Sequence, residues 1–495
     1  MRGRLRPLAS LGLALTIGLA IDLAPRPGRA AEVRAQTKTL GEGYMVRVPG
    51  SADLLSRRRL VQYVNLGVYE LLPPRRPGEL HRSLEEGQLH IVSSMRLRND
   101  FGTYLRQGDD RSARTLESLD GRQVDLLFAY LEGQRLGGFV DLRAGRQFEM
   151  SGLDFYAFDG AWTRAHLPVL PLAVEAFGGM MVDGSQLFGF PTFELDGTNG
   201  TARDRSFSPM AGAALSSSGL RWLDARLAYR RTFTPSALNR GAIDDDGSAG
   251  LASGVDQELV SLSAAARLAD GRLSPYAALR YNLGTARLDD VSAGIHMAMS
   301  ERQSIRALYI RTIPAFDLDS IFNTFTNEAF EDVRVVLESR PNARWILAAR
   351  SQTRLFRDQT TSELETLPAR ALRLGVGGGV TASYRIRRLG LRMDGYGLGG
   401  EGGVRAGGSL ESRTMVAWNR LAIDGRIYGV YYRDDQSEAR RGYSLAVQGG
   451  LNVQLWRGIH LNLLGEELMT NYYTSALRIL ASLSADWTMR AGRRR

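Results

Sequence analysis

Cysteine is absent from the 495-residue chain, lysine occurs once, at Lys38, and no long hydrophobic run follows the first thirty residues. Without cysteine the chain forms neither disulfides nor thiolate metal sites, and it has no cysteine nucleophile. No later apolar stretch approaches the roughly 18 to 20 residues that a membrane-spanning helix needs. The mean hydropathy of -0.20 is also too low for a helical membrane protein. A membrane form of this chain would therefore have to cross as strands.

Histidine is scarce, with five residues, and none has a metal-ligand spacing such as His-Glu-x-x-His. His296 and His460 sit on polar strand positions, but no partner motif supports a catalytic role. The glycine-rich segment 375–379 lacks the Lys-Ser/Thr of a phosphate loop, and the acidic segment 244–246 lacks the rest of a calcium loop. The sequence predicts that the protein is not an enzyme and has no cofactor and no metal site.

The N-terminus has the three parts of a secretory signal. Arg2, Arg4 and Arg6 form a positive head, residues 8–21 are apolar, and Gly28-Arg29-Ala30 supplies small residues at a cleavage point. We expect a signal peptide over residues 1–30. An uncleaved anchor helix is the alternative, although the apolar core is short for a spanning helix.

Period-two alternation is the main structural signal. In residues 372–385, Leu374, Val376, Val380 and Tyr384 share one parity, and polar residues or glycine occupy the other. Successive residues of a strand point to opposite faces, so this segment has one apolar and one polar face. The same pattern recurs to the end of the chain, and the last example is 475–488. Many long two-faced strands behind an export signal favour a closed wall with lipid outside over a soluble sandwich.

The predicted fold is therefore all-β, a transmembrane antiparallel up-and-down β-barrel of about 18 strands, within a range of about 16 to 20. Short connectors alternate with long polar ones, which predicts short periplasmic turns and long extracellular loops. We expect a periplasmic lead-in over 31–59, the barrel over 60–488 and a basic tail over 489–495, with 60–72 of uncertain pattern. Aromatic residues are candidates for girdles at the membrane interfaces: Phe128, Tyr130, Trp162, Trp222, Tyr229, Trp345, Trp418, Tyr431, Tyr443, Trp456 and Trp487.

Charged residues on the polar parity are the candidate functional residues. The net charge is +10, and the arginines are spread along strands without a nucleic-acid motif, so nucleic acid is not an expected partner. Charged rings in a lumen tune ion selectivity. Alternatively, the same charges pair across adjacent strands and fill the interior. Unpaired arginines would favour anions. The pore-lining candidates are Arg143, Arg226, Arg230, Arg280, Arg350, Arg373, Arg478, Asp125, Asp141, Glu175 and Asp224.

The segment Val140-Asp-Leu-Arg-Ala-Gly-Arg-Gln147, followed by Asp159-Gly160-Ala161, resembles large outer-membrane porins and alginate-export-like barrels. The resemblance covers about residues 121–180 in motif. It implies an outer-membrane location and a passive route for polar solutes, with Arg143 and Arg146 at lumen or rim positions. Many such barrels end on an aromatic residue that the insertion machinery reads, whereas here Trp487 is followed by residues 488–495.

The predicted function is a porin-like channel in the bacterial outer membrane for passive passage of small polar solutes, anions included. Its expected partners are outer-membrane lipids, the outer-membrane insertion machinery and those solutes. Two alternatives stay open: a sealed structural or adhesive outer-membrane barrel, and a secreted all-β carbohydrate-binding protein. Conductance in a bilayer separates the first alternative from the channel, and solubility of the mature chain without detergent would favour the second.

Overall fold

A computed structural model describes residues 32–47, 54–72, 87–101, 122–182, 209–233, 255–284, 286–312, 329–357, 373–400, 403–416, 420–433, 441–471 and 475–490. The predicted signal peptide at 1–30 lies outside the described residues. No helix that is long and apolar enough to span a membrane occurs in the described part.

The described residues form 22 β-strands, each named here in chain order. They are β1 Glu32–Arg47, β2 Leu54–Tyr69, β3 Gln88–Phe101, β4 Arg122–Leu136, β5 Val140–Ser151, β6 Asp154–His166, β7 Leu172–Met181, β8 Pro209–Ser217, β9 Leu223–Phe233, β10 Val255–Ala266, β11 Leu273–Asn282, β12 Arg287–Ser300, β13 Gln303–Thr312, β14 Ala329–Asn342, β15 Trp345–Arg357, β16 Arg373–Ile386, β17 Leu389–Gly400, β18 Val404–Val416, β19 Leu421–Arg433, β20 Arg441–Trp456, β21 Ile459–Thr470 and β22 Ser475–Arg490.

The strands close into one antiparallel barrel. Each strand pairs with its neighbours in the sequence, and β1 pairs with β22 from Glu32↔Arg490 to Arg47↔Ser475. Closure leaves no sheet edge at this seam, which is the property that lets strands cross a membrane. The predicted barrel class is confirmed, but the strand number of about 18 is wrong, because the structure has 22 strands. The connections at 301–302, 343–344, 387–388 and 457–458 have only two residues. Each strand with its connection therefore takes fewer residues than predicted, and more strands fit into the chain.

The N-terminal boundary also differs from the prediction. Residues expected in a periplasmic lead-in over 31–59 contribute β1 and the first part of β2 to the wall, so the barrel begins at Glu32 and not at residue 60. At the other end, β22 extends to Arg490, two residues into the predicted tail. The face that β1 shares with Trp487, Leu483 and Ile479 of β22 carries small residues: Ala35, Thr37, Thr39, Gly41 and Gly43. Small residues give no hydrophobic alternation, so the sequence pattern does not predict β1 as a strand.

Elsewhere the alternation is observed as predicted. In β16, Leu374, Val376 and Val380 are 43%, 53% and 61% exposed on the outer face. The opposite parity faces the interior and holds glycines, Thr381 and Ser383. A wall with apolar side chains outside and polar ones inside is the arrangement of a transmembrane barrel.

A β-bulge in β4 reverses the predicted faces of two aromatic residues. Ser94 pairs with Phe128 and Met95 with Leu126, so Leu127 is an extra residue between two pairs of the β3–β4 ladder. A bulge of one residue shifts the alternation by one position. Leu131 is therefore exposed on the outer face, and Tyr130 lies under the guanidinium of Arg143, 5.1 Å away. Phe128, which pairs with the buried Ser94, and Tyr130 were both predicted as outer girdle residues, and both lie on the inner face.

The connections differ at the two ends of the barrel. Connections after even-numbered strands form the turn end, and most span two to six residues, with 70–87 as the long exception. Connections after odd-numbered strands form the loop end and include the long segments 102–121, 182–208, 234–254, 313–328 and 358–372. The predicted alternation of short and long connectors is thus observed. Those long segments lie almost wholly outside the described residues.

One hairpin leaves the wall at the loop end. Strands β5 and β6 pair with each other up to Ser151↔Asp154. Pairing of β5 with β4 stops at Arg146, and pairing of β6 with β7 stops at Phe158. Residues 147–157 therefore pair as strands only within their own hairpin, which we call the inner hairpin. At its base, the Val182 amide donates a hydrogen bond of 2.9 Å to the Ala157 carbonyl oxygen. Its tip reaches β10, since a Cβ on Gly152 would lie 3.1 Å from the Ser261 hydroxyl. Strands that are four or five positions apart in a closed wall, as β6 and β5 are from β10, touch only across the interior, so the inner hairpin folds into the lumen.

Candidate functional site: a constricted lumen

The inner hairpin bends at a row of three glycines. Gly145 of β5 pairs with Gly160 of β6, which pairs with Gly179 of β7. Gly145 has a φ of +126°, and a Cβ there would lie 2.3 Å from the Ala129 carbonyl oxygen. A Cβ on Gly160 would lie 2.1 Å from the Gly178 carbonyl oxygen. Because a side chain fits at neither position, glycine lets the three strands approach closely where the hairpin turns inward.

Arg146 holds the bend together. Its guanidinium makes two hydrogen bonds of 2.7 Å to the carboxylate of Asp159 on the facing strand. It also donates to the Leu126 carbonyl oxygen of β4 at 3.2 Å, beyond the last β4–β5 pair. A bidentate arginine–carboxylate contact fixes geometry as well as charge. The Gly-Arg-Gln and Asp-Gly elements of the sequence are thus the two sides of this bend.

Apolar residues anchor the inner hairpin to the wall. Leu153 and Tyr156 of the hairpin are 0% and 2% exposed, and Phe158 at its base is 1% exposed. They form one cluster with residues on the inner faces of β7 to β10: Phe177, Met210, Ala214, Ala228 and Leu259. Phe177 fits because Gly212 leaves space, since a Cβ there would lie 2.2 Å from its ring. A buried apolar cluster inside the lumen gives the hairpin a fixed position.

Next to this cluster lies a network of opposite charges, which we call the constriction network. Arg226 of β9 contacts Glu175 at 2.7 Å and Glu149 of the hairpin at 3.3 Å. Arg143 contacts Glu132 at 3.3 Å and Glu149 at 4.0 Å. Glu149 is thus shared by Arg143 of its own strand and Arg226 of β9, which ties the hairpin to the wall electrostatically.

Arg230 extends this region along β9. Its guanidinium lies 4.3 Å from the ring centroid of Tyr156 and donates to Gln257 at 2.9 Å. A cation over an aromatic face is stabilised by the ring quadrupole, more strongly where water is excluded. The lumen sector in front of β7 to β10 is therefore filled and cross-linked by the hairpin.

The opposite sector is open. A cavity of about 640 Å³ is lined by inner-face residues from β15 to β21 near the turn end. Its charged lining includes Arg413, which faces Asp424 at 3.6 Å, and Arg426, which faces Glu411 at 3.1 Å. Three further arginines line the same cavity and make no ion pair with any described residue: Arg344, Arg385 and Arg392. The open sector thus carries excess positive charge.

The described side chains among the pore-lining candidates lie on the inner face of the wall, and most are paired. Arg350 contacts Asp394 at 3.0 Å, Arg478 contacts Glu42 at 2.8 Å, and Asp125 contacts Arg96 at 2.6 Å. Arg280 pairs with Asp290, and Asp224 is exposed near the turn end. The side chain of Arg373 lies outside the described set. Pairing across strands, the alternative left open by the sequence, therefore describes most of them.

Arg344, Arg385 and Arg392 are not among the residues that the sequence predicts to line the pore. Arg385 was on the polar parity of residues 372–385, but alternation cannot distinguish an arginine with a neighbouring acid from one without. That distinction depends on register. Arg392 pairs with Glu411 in the β17–β18 ladder, yet Glu411 is taken by Arg426 on the other side.

An Asp-His-Ser trio joins β5, β6 and the β8–β9 turn at the turn end. Nε2 of His166 lies 2.7 Å from Asp141, and Nδ1 lies 2.8 Å from the Ser218 hydroxyl. The sequence does not predict this constellation, because the three residues are far apart in the chain. Acyl transfer also needs backbone donors for an oxyanion, and the Ser218 amide donates instead to the Pro171 carbonyl at 2.7 Å. The trio acts as a brace between β5, β6 and the β8–β9 turn.

Comparisons with known proteins give similar structures only. No protein-family model matches the chain. No curated protein matches it either. The outer membrane protein OpdK of Pseudomonas aeruginosa is similar over 92% of this chain and 99% of its own, at 10% identity and a TM-score of 0.40. OccAB2 of Acinetobacter baumannii is similar over 93% of this chain and 98% of its own, at 7% identity and a TM-score of 0.44.

A BenF-like porin from Pseudomonas fluorescens is similar over 92% of this chain and 99% of its own, at 8% identity and a TM-score of 0.41. The barrel is established by the strand pairing of this chain itself. The comparisons give no support to the alginate-export-like resemblance.

Proposed function

We propose that the protein is a channel in the bacterial outer membrane for passive passage of small polar solutes, with a preference for anions. The single observation that carries this proposal is the closed 22-stranded wall, apolar outside and polar inside, with a hairpin narrowing its lumen. The exposed apolar outer face argues against the alternative of a secreted carbohydrate-binding protein, because such a face needs lipid. No catalytic role is part of the proposal.

The anion preference is supported by charge in the open sector. Positive charges that lack a paired acid raise the local concentration of anions in a narrow passage. The cavity contains five arginines and two acids, so solutes that pass the inner hairpin meet excess positive charge. The constriction network contributes little to this preference, since its arginines face Glu132, Glu149 and Glu175.

Single-channel recording tests the channel and separates it from a sealed barrel. The wild-type protein in planar bilayers should give steady conductance steps. A variant in which residues 147–157 are replaced by a short glycine-serine linker should give larger steps, because the inner hairpin no longer fills the lumen. A silent wild-type protein with a conducting variant would instead support the sealed structural barrel, and silence of both would overturn the channel.

Ion selectivity tests the anion preference. The wild-type reversal potential across a KCl gradient should lie closer to the equilibrium potential of chloride than to that of potassium. The double variant Arg385→Glu/Arg392→Glu should move it toward the equilibrium potential of potassium. Arg267→Glu/Arg272→Glu makes a charge change of the same size in a rim turn outside the cavity and should move it less. Equal shifts for the two variants would contradict a role for the open sector.

A further inference from the structure

The short connections at the turn end are rich in arginine. Eight exposed arginines lie in the connections between β8 and β21 and outside the cavity lining, whereas the same connections contain two acids, Asp270 and Glu301. We call these eight residues the arginine collar: Arg221, Arg267, Arg272, Arg302, Arg387, Arg388, Arg420 and Arg457. No ion pair to a described residue neutralises them.

Exposed tryptophans fix the level of the collar relative to a membrane. Trp222 and Trp456 are 53% and 72% exposed, and each is adjacent in sequence to a collar residue, Arg221 and Arg457. Trp345 and Trp487 are 39% and 43% exposed near the same end of the barrel. Tryptophan concentrates where the hydrocarbon meets the headgroups. The neighbouring arginines, one residue further from the wall, therefore lie at the depth of the lipid phosphates.

We propose that the arginine collar binds the phosphate groups of anionic phospholipids in the leaflet at the turn end. This inference rests on the proposed membrane location. The guanidinium group presents a fork of donors that matches phosphate oxygens, and basic residues near a membrane surface are attracted by anionic lipid. The collar follows much of the rim, so it would contact a ring of headgroups and orient the barrel with its turn end in the phospholipid leaflet.

The test compares folded stability in vesicles of different charge. Wild-type protein is reconstituted in phosphatidylcholine vesicles with and without phosphatidylglycerol, and the temperature at which the compact band is lost on unheated gels is measured. We expect a higher midpoint in the anionic vesicles and loss of this difference in high salt, because salt screens exposed charges. The triple variant Arg387→Gln/Arg388→Gln/Arg420→Gln should lose most of the difference. The matched control Arg405→Gln/Arg433→Gln/Arg441→Gln removes three arginines at the loop end and should keep it.

Three outcomes would overturn the lipid proposal. The midpoint could be independent of vesicle charge in the wild-type protein, or both triple variants could lose the difference equally. Soluble peptidoglycan fragments could also raise the midpoint in neutral vesicles as much as phosphatidylglycerol does, which would assign the collar to the cell wall. Conductance measured in neutral vesicles keeps the two proposals separate. If the protein conducts but shows no lipid effect, only the collar proposal is wrong. If the protein does not insert, the channel proposal is wrong.

Discussion

At the scale of single residues, the wall bends where glycine leaves no side chain between closely approaching strands. Gly145, Gly160 and Gly179 stand in one row across three strands, and a Cβ at any of them would lie within 2.3 Å of a backbone oxygen. Arg146 and Asp159 flank the row and are joined by two hydrogen bonds. The bend therefore depends on the close approach of the backbones of β5, β6 and β7 and on one bidentate ion pair.

Gly145→Val should disturb the inner hairpin. The substitution forces a β-branched side chain into a positive φ and against the Ala129 carbonyl, and such strain costs of order 1 to 3 kcal/mol. We expect a lower thermal midpoint and unstable conductance steps. Gly395→Ala is the matched control, because nothing lies within 4 Å of its added Cβ. Steady wild-type conductance in the valine variant would contradict the importance of the bend.

His166→Ala should weaken the brace without removing an activity. Loss of hydrogen bonds to Asp141 and Ser218 leaves partly buried polar groups without their partner, which costs about 1 to 3 kcal/mol. The thermal midpoint should fall, and Ser218→Ala should lower it less. Hydrolysis of a nitrophenyl ester should stay at background in all three proteins. Ester hydrolysis by the wild type that either variant abolishes would show instead that the trio is catalytic.

At the scale of elements, the inner hairpin combines two kinds of attachment to the wall. Its apolar side chains pack with β7 to β10, and Glu149 joins Arg143 and Arg226. Alternation in the sequence predicts β5 and β6 as strands, and the structure has both. Alternation cannot predict that the ends of β5 and β6 separate from β4 and β7. The pattern of a strand shows its two faces but not which strands it pairs with.

Phe158→Ala should release the inner hairpin. Truncation of a buried phenylalanine costs about 3 to 5 kcal/mol, and the cluster in the lumen has few other apolar residues to compensate. We expect larger and noisier conductance with a nearly unchanged wall, measured by single-channel recording and by β-sheet circular dichroism. Phe139→Ala changes the same residue type in a turn where the ring is 52% exposed, and it should leave conductance unchanged.

At the scale of the whole molecule, closure depends on a strand that the sequence did not reveal. The long apolar alternation of β16, β20 and β22 made the barrel class predictable. The strand number was not predictable, because the outer face of β1 carries alanine, threonine and glycine, and because turns such as 343–344 have only two residues. The positive charge of the open cavity was not predictable for a related reason, because the sequence does not show whether Arg385 and Arg392 have acidic partners. That depends on the strand register.

Deletion of residues 32–47 distinguishes the observed closure from the predicted lead-in. In the structure β1 fills the gap between β22 and β2, so its loss exposes two long edges. We expect the shortened chain to give no compact band on unheated gels after refolding in detergent. If residues 32–47 were a periplasmic lead-in, the shortened chain would still refold. The hairpin-shortened variant serves as a control for loss of residues as such.

The seam between β1 and β22 brings Glu32 beside Arg490. A wall joined in this way has no natural beginning, so a gene rearranged to start at the 301–302 turn, with the old ends linked, should encode the same barrel. The seam also sets the order of events in the cell. A growing chain that still lacks β22 has two strands with unpaired edges. The barrel can therefore close only after β22 has been synthesised.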